Sequence, residues 1–308
     1  MKIKSIAYLL ICLISINLTA AKKSKVKAWT DAETAMKEHP GFAVQGEYTG
    51  EENGKKVAIQ ATVLNDGNFL VAKYNGGLPG AGWDKSKIDS KVMDMATLKA
   101  AVSKMSKVNR VSPTMGKKAP ENAFLTMPDG FENVKDGILH AGGKTKKDVG
   151  SFKMHIEFML PFKPARNPSN QDRGNSGVYI FNNYEIQVLD TFALDFDSEN
   201  NAIKTESLNK QWCGCFYKMK LADTNMALPP LTWQTYDIEF TAPVFERDKK
   251  VKNAIITVYH NGVKIHDNFE LKTGTGAGAK RKQLAKGPIY FQNHGNPTMF
   301  RNVWIVEK

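Results

Sequence analysis

Hydrophobic and polar residues alternate along most of the chain beyond position 120. The alternation is clear in residues 152–158 and 236–240, and two further alternating runs flank Asn261 and Gly262. Period-two alternation is typical of strands that bury one face, and Asn-Gly between two such runs is a strong signal for a β-hairpin. Residues 289–294 and 300–306 add two more strands of the same kind. The pattern therefore predicts an all-β fold built as a two-sheet β-sandwich.

The first hundred residues predict a smaller β-rich unit. A short helix capped by Thr30 or Asp31 opens it, and Gly- and Asp-containing turns separate the strands that follow. These strands are expected at residues 42–48, 57–63 and 68–74. Residues 93–108 are compatible with a further helix.

Two segments read as irregular connections. Residues 112–120 begin and end with proline-containing stretches and predict a linker, and the Gly- and Lys-rich residues 273–283 predict a flexible surface loop. The chain is accordingly divided into a signal peptide at 1–21, a β-rich N-terminal extension at 22–113 and a β-sandwich at 114–308.

The N-terminus has the pattern of an export signal. Lys2 and Lys4 precede an apolar run over residues 6–18, and Ala20 and Ala21 supply the small residues that a signal peptidase requires. The run is too short for a comfortable membrane span, and no other stretch is apolar enough to form one. We therefore expect an exported protein, periplasmic or secreted, with no membrane span after the signal is removed.

Charge and cysteine content narrow the classes of partner. The formal net charge is +12, but the lysines are scattered and accompany no nucleic-acid-binding motif, so no nucleic-acid partner is expected. Beyond the signal, Cys213 and Cys215 are the cysteines of a C-G-C motif. Two thiols without nearby histidines make a poor zinc site, and two packed thiols are favoured over a strained local disulfide.

The candidate chemistry is concentrated in residues 173–190. In the strand near its end, Glu185 and Gln187 fall on one face, opposite an apolar face formed by Tyr184, Ile186 and Val188. A bulge near residues 188–189 would return the Asp190 carboxylate to the Glu185 face. Two carboxylates and an amide on one face suit acid/base chemistry on a sugar, whereas the alternative is a half-buried strand with a solvated polar face.

Other polar and aromatic residues could complete such a site. Gln292 and His294 share a face of the strand at 289–294, and imidazole is a natural proton carrier near neutral pH. Trp233 and Tyr236 offer aromatic surfaces that stack well on sugar rings, although both also suit a sandwich core. The turn that enters the 184–188 strand carries Arg173, Asn175 and Ser176.

Six blocks, in this order, resemble a known family: R-G-N-S-G-V-Y, Y-E-I-Q-V-L-D, W-Q-T-Y-D-I, Y-H-N-G-V, Q-N-H-G-N-P and F-R-N-V-W-I. They are similar to the 3-keto-disaccharide hydrolase domain, and the resemblance covers about residues 121–308. Upstream, F-A-V-Q-G-E-Y and G-G-L-P-G-A-G-W resemble a β-rich extension of some exported bacterial members.

The resemblance implies a concanavalin-like jelly roll related to laminarinase-type glucanases. Those glucanases carry E-x-D-x-x-E on a bulged strand, and Glu185, Gln187 and Asp190 have the same spacing. The Gln and Asp at the last two positions depart from the glucanase pattern. This departure disfavours an ordinary double-displacement mechanism.

The resemblance also implies a substrate with a ketone at C3, which acidifies the C2 proton. Cleavage would then proceed by C2 proton abstraction, elimination of the C1 oxygen and addition of water. Glu185 is the expected base, His294 the alternative base or acid, and Asp190 a tuning carboxylate. Substrate binding is expected from Arg173, Asn175, Ser176, Gln187, Trp233 and Gln292, with Asn175, Gln187 and Gln292 donating to the enolate.

Cofactor need and alternatives remain open at the level of sequence. A divalent cation on the 3-keto and 2-hydroxyl oxygens is compatible with the chemistry, although the sequence contains no dedicated cluster of metal ligands. Jelly rolls also serve as carbohydrate-binding lectins without catalysis, and a third alternative is a surface protein with a vestigial site. A raised pKa at Glu185 would favour catalysis over both alternatives.

Overall fold

The computed structural model of this protein describes residues 26–308, so the predicted export signal lies outside the described residues. An antiparallel five-stranded sheet with the order β4-β3-β2-β1-β5 forms the N-terminal unit. Its helices are α1 (Ala32–Glu38), α2 (Pro40–Val44) and α3 (Met95–Ala101), and its strands are β1 (Gly46–Glu52), β2 (Lys55–Val63), β3 (Phe69–Asn75), β4 (Asp89–Met93) and β5 (Ser106–Val108).

Local capping explains where the N-terminal helices begin. The Asp31 carboxylate accepts a hydrogen bond from the Thr34 amide at 2.7 Å and so caps α1. Pro40 occupies the first turn of α2, where its missing N–H has no cost, so residues 42–44 are helical and not extended as expected. Asp94 caps α3 in the same way as Asp31, and the helix expected over 93–108 is confined to seven residues between two strands.

The rest of the chain forms two facing antiparallel sheets. The large sheet has the order β16-β15-β12-β9-β18-β8-β7 with β6 beside β18, and the small sheet has the order β11-β10-β17. Beside them, β13 and β14 form a separate hairpin. The strands are β6 (Leu125–Thr126), β7 (Val134–Lys135), β8 (Ile138–His140), β9 (Phe152–Met159), β10 (Ser176–Ile180), β11 (Tyr184–Val188), β12 (Trp233–Thr241), β13 (Val244–Glu246), β14 (Lys249–Lys252), β15 (Ala254–His260), β16 (Val263–Leu271), β17 (Ile289–Phe291) and β18 (Met299–Glu307).

The hydrophobic core lies between these two sheets. Alternate residues of β9 and β12 in the large sheet, such as Phe158 and Tyr236, pack in one buried cluster with Val178, Ile186 and Phe291 of the small sheet. Burying apolar side chains from both inner faces is what stabilises a sandwich. The predicted all-β sandwich is confirmed, and its jelly-roll class agrees with the antiparallel sheets.

Turn chemistry also agrees with the sequence pattern at the hairpin between β15 and β16. Asn261 and Gly262 have φ angles of 49° and 76°, the left-handed conformation that a type I′ turn requires. Among residues 26–308, no helix is long and apolar enough to cross a membrane.

The predicted linker between the two units is held against the large sheet. Thr114 donates to the Asp237 carboxylate at 2.7 Å, and the Gly116 amide donates to Glu157 at 2.7 Å. The Lys117 carbonyl accepts from the Trp304 indole at 3.0 Å. These contacts make residues 112–117 a fixed strap, while the domain boundary at 113/114 stays a prediction.

Candidate functional site

Strand pairing in the small sheet assembles one polar face. The register of β10 with β11 places Gly177 opposite Gln187 and Tyr179 opposite Glu185, without a shift between residues 176 and 188. The residues between them, including Val178 and Ile186, belong to the core. Because side chains alternate across a sheet, Glu185 and Gln187 share their face with Gly177 and Tyr179.

A glycine makes room for the Glu185 carboxylate on this face. A Cβ atom at position 177 would lie 2.6 Å from Glu185 Oε1, which is closer than real Cβ contacts. Gly177 thus lets the carboxylate fold over the neighbouring strand. We therefore expect any larger residue at 177 to displace Glu185.

Glu185 is a buried carboxylate with one strong hydrogen-bond partner. The residue is 2% exposed, and the Tyr179 hydroxyl donates to its Oε2 at 2.6 Å. Burial raises the pKa of Glu185 to about 7, although the Tyr179 hydrogen bond opposes this shift. Burial and the neighbouring carboxylate raise the pKa of Tyr179 well above its usual value, so that hydroxyl keeps its proton.

Several amide groups near this face have an atom without a hydrogen-bond partner. Asn175 Nδ2 donates to Gln171 Oε1 at 2.9 Å, and Gln187 Nε2 donates to the Gln211 carbonyl at 3.0 Å. The buried atoms that remain unpartnered are Gln171 Nε2, Asn175 Oδ1, Gln187 Oε1 and Gln292 Oε1. Because buried polar atoms are normally hydrogen-bonded, these four atoms are positions at which ligand hydroxyl groups could bind.

A cavity of about 410 Å³ lies next to the amide groups. Gln171 and Gln211 line it together with polar residues of the segment 198–209, and Gln211 Nε2 also donates to the Tyr217 hydroxyl at 2.6 Å. The Tyr217 amide in turn donates to the Glu185 carbonyl at 3.2 Å. Gln171 and Gln211 thus line the cavity and also accept hydrogen bonds from Asn175 and Gln187, whereas Glu185 does not line it.

Gln292 and His294 occupy the end of the small sheet, beside Asn175. The Gln292 amide donates to the Gly177 carbonyl at 2.8 Å, so Gln292 continues the line of β17. His294 follows in an exposed turn, where Asn296 Oδ1 accepts from the Gly174 amide at 3.2 Å. The predicted position of His294 near a sheet end therefore agrees with the structure, but its imidazole is open to solvent.

Arg173 and Asp190 form a buried ion pair away from the polar face, which differs from the expected roles. Both residues are 0% exposed, and Arg173 Nε donates to Asp190 Oδ2 at 2.6 Å. The other Arg173 donors reach the Arg166 carbonyl, the Val63 carbonyl at 3.0 Å and the Thr62 hydroxyl at 2.9 Å. Asp190 Oδ1 accepts from the Phe192 amide at 3.2 Å. The pair joins β2 to the sandwich, so Arg173 is not available to hold a sugar and Asp190 does not return to the Glu185 face.

Two further predicted binding residues also lie elsewhere. The Ser176 hydroxyl donates to the Gln292 carbonyl at 2.8 Å and so connects two strand ends. Trp233 begins β12 in the opposite sheet, where the Arg301 guanidinium lies 4.0 Å from the centre of its ring. The structure therefore groups Glu185, Gln187, Asn175 and Gln292 but separates Trp233 from them.

Sequence reasoning missed four residues on or beside the polar face, one of them Tyr290, which pairs with Tyr179 across β10 and β17. Tyr179 has a usable signal, because it lies two residues after Gly177 on the same alternating strand. Gln171 and Gln211 come from irregular segments, and nothing in their local sequence indicates that they approach Gln187.

The two cysteines supply no nucleophile to the site. Cys213 and Cys215 are free and buried, and burial raises their pKa values to about 11 and about 12, so neither is a nucleophile at neutral pH.

Within residues 26–308, no group of three His, Cys, Asp or Glu side chains is arranged to hold a metal ion. A divalent cation at the polar face would meet one carboxylate, Glu185, and otherwise neutral amide oxygens, which is a weak ligand set.

Comparison with known proteins identifies a family. Residues 101–306 match the sequence profile of the 3-keto-alpha-glucoside-1,2-lyase-like domain, which confirms the resemblance of the six sequence blocks. No curated protein matches the chain.

Three solved structures from Parabacteroides distasonis are also similar, each described as a putative glycosyl hydrolase. The first is 30% identical, with a TM-score of 0.49 over 62% of this chain and 86% of that chain. The second is 20% identical, with a TM-score of 0.40 over 58% of this chain and 83% of that chain. The third is 20% identical, with a TM-score of 0.36 over 56% of this chain and 88% of that chain.

Proposed function

The chain belongs to the family of 3-keto-alpha-glucoside-1,2-lyase-like domains, and we propose that it cleaves the glycosidic bond of 3-keto glucosides. The proposed first step is removal of the proton at C2 by Glu185. The observation that carries this proposal is a buried carboxylate with a pKa of about 7 beside a group of unpartnered amide atoms. At neutral pH, a carboxyl group with a pKa near 7 is ionised in a large fraction of molecules, and its carboxylate is a stronger base than an ordinary one.

The reaction can be written with all atoms and electrons assigned. The ketone at C3 acidifies the C2–H bond, and the Glu185 carboxylate takes that proton to give an enolate. The enolate electrons then form the C1=C2 double bond, and the C1–O bond breaks. The leaving oxygen takes up a proton and departs as an alcohol. Addition of water across the double bond gives the free 3-keto sugar.

The unpartnered amide atoms suggest how the sugar would be oriented. The free atoms of Asn175, Gln187 and Gln292 are oxygens, which accept hydrogen bonds from sugar hydroxyl groups. The buried amide donor left unpartnered in this group is Gln171 Nε2, which suits the enolate oxygen. The Asn175 and Gln187 NH2 groups both donate within the protein, so Gln292 and Gln171 are the amides that would donate to the enolate.

Two groups could protonate the leaving oxygen. Glu185 holds a proton after the first step, and its pKa of about 7 allows it to release that proton again. His294 lies at the end of the same sheet and is the alternative acid. Tyr179 is assigned a positioning role, because its raised pKa disfavours proton release.

The raised pKa of Glu185 favours catalysis over the lectin alternative. A lectin needs amides and aromatic surfaces but gains nothing from a carboxylate that is costly to ionise. Glu185 is only 2% exposed to solvent, which also suits a base that must act in a site without water.

The proposal is tested by comparing a 3-keto disaccharide with its unoxidised parent. We expect cleavage of the keto sugar alone, with exchange of C2 deuterium into water, because an unactivated C2 proton is too weakly acidic for a carboxylate. Glu185→Gln should lower turnover at least ~100-fold, and the exposed-site control Glu246→Gln should behave like the unaltered protein. Equal cleavage of the parent sugar would contradict the elimination route. Binding without cleavage of either sugar would support the lectin.

A further inference from the structure

A second cleft lies between the N-terminal unit and the sandwich, away from the Glu185 face. Its volume is about 590 Å³, which is in the range of small-molecule sites, and such sites are frequent at domain boundaries. Its walls come from α1, α2 and β5 on one side and from residues 229–233 on the other. Phe42, Leu231 and Trp233 supply apolar surface.

The cleft contains a buried amide with no partner at either end. Gln45 is 3% exposed and lines the cleft, and neither its Nε2 nor its Oε1 has a hydrogen-bond partner. An amide left in this state costs free energy unless a bound group satisfies it. A hydroxyl group is suited to this task, because it can donate to Oε1 or accept from Nε2, and two neighbouring hydroxyls satisfy both.

The charge around the cleft is positive. Lys107, Arg110 and Arg301 line it together with one carboxylate, Glu47. Arg110 is engaged with Glu47, with Nε–Oε2 at 2.6 Å, and Arg301 with Glu157 at 2.6 Å.

Lys107 is the cation of this cleft that has no acidic partner among the described residues. Its ammonium group donates to the Ala43 carbonyl at 2.6 Å. Gly46, with a φ of 141°, leaves it room, since a Cβ there would lie 2.8 Å from Lys107 Cε. A carboxylate on a ligand would complete the charge balance at this position.

From this arrangement we infer that the cleft binds a small sugar acid. Its hydroxyl groups would bind to Gln45, its carboxylate would lie near Lys107, and its ring would pack against the apolar wall. The site shares no lining residue with the polar face around Glu185, and the inference does not depend on the proposed glycoside cleavage.

D-Glucuronate is the probe, titrated into the full chain without its signal and followed by tryptophan fluorescence and calorimetry. We expect saturable binding that weakens with salt, and at least ~10-fold weaker binding of D-glucose, since one lost charge-assisted contact is worth about that factor. Gln45→Leu and Lys107→Met should each weaken glucuronate binding at least ~10-fold. Lys104→Met, a neighbouring exposed lysine, is the matched control and should bind like the unaltered protein.

Three outcomes would overturn the inference. One is the absence of glucuronate binding at about 10 mM, a concentration that would nearly saturate a site with a dissociation constant of about 1 mM. Another is equal binding of glucose and glucuronate, which would remove the role of Lys107. The third is loss of glucuronate binding in Glu185→Gln, which would place the ligand at the other site. Lys107 is exposed, so Lys107→Met is expected to fold. This variant keeps the test informative if Gln45→Leu fails to fold.

Discussion

At the scale of single residues, three neighbours decide the chemistry of Glu185. Gly177 gives the carboxylate space, Tyr179 donates a hydrogen bond to it, and Thr275 Oγ1 accepts from its backbone amide at 2.7 Å. Thr275 belongs to the segment expected to be a flexible surface loop, but it is 0% exposed. The loop packs behind β11 and contributes to the burial that raises the pKa of Glu185.

The pH dependence of cleavage should report this carboxylate. A base acts in its ionised form, so we expect kcat/KM to fall as the pH drops below about 7. Tyr179→Phe removes the hydrogen bond that lowers the pKa of Glu185, and the inflection should then move to higher pH. Steady-state rates between pH 5 and pH 9 provide the measurement, spanning the region where such a group titrates. An unchanged inflection in Glu185→Gln would assign it to a group other than Glu185.

At the scale of elements, the small sheet is tied to the N-terminal unit by side chains as well as by the chain itself. Arg173 enters β10, Asp190 follows β11, and their ion pair reaches the end of β2 through Thr62 and Val63. The strap at 112–117 makes a second connection, to the large sheet. The orientation of β10 and β11, and with it the polar face, therefore depends on residues that do not contact substrate.

Removing Arg173 should destabilise the fold before it affects binding. Arg173→Met leaves the Asp190 carboxylate buried without its counter-charge, and breaking such a pair costs about 3–5 kcal/mol. The double variant Arg173→Met with Asp190→Leu removes both charges and should regain much of that loss. Urea unfolding measures both, with Arg166→Met, whose side chain is 39% exposed, as the control. A stable Arg173→Met protein with weakened substrate binding would instead restore the sugar-binding role.

At the scale of the whole molecule, buried titratable groups set how stability depends on pH. Burial lowers the pKa of His260 to about 3 and that of His266 to about 4. These two rings stay neutral in the fold, so their contribution to stability is present above pH 6.5 and is lost as the pH falls toward their folded values. Glu185 acts in the opposite direction, because its raised pKa makes the fold more stable as the pH falls from 7 toward 4.5.

The histidines should dominate this balance in moderate acid. Between pH 6.5 and 4.5, the two histidines together lower the free energy of unfolding by roughly 4 kcal/mol, and Glu185 raises it by roughly 2 kcal/mol. We therefore expect the melting temperature to fall over this range, and to fall less in His266→Gln. Thermal unfolding at fixed ionic strength is the measurement. A melting temperature that rises toward pH 4.5 would contradict the assignment of neutral buried rings.

Export remains a prediction at this scale. Lys2, Lys4 and the apolar run at 6–18 lead us to expect removal of the signal near Ala20 and Ala21. The intact mass of protein from its native host measures this directly. A mass that includes residues 1–19 would contradict it.

Local sequence determined most of the longer strands, the β15–β16 hairpin and the shared face of Glu185 and Gln187, but not short strands such as β5, β7 and β13. These features depend on period-two alternation and on the conformations open to Asn and Gly, both of which act over a few residues. The six family blocks likewise follow from the sequence alone. The strand expected at residues 42–44 was wrong because Pro40 favours a helical first turn, a local preference that the alternation concealed.

Tertiary structure alone decided which polar groups meet. Arg173 forms an ion pair with Asp190, seventeen positions away along the chain. Gln171 and Gln211 lie in irregular segments and accept hydrogen bonds from Gln187. The pKa of Glu185 likewise depends on how completely the surrounding elements exclude water. Burial and long-range contact are properties of the packed chain, in which residues distant in sequence jointly exclude solvent, so no short pattern of residues encodes them.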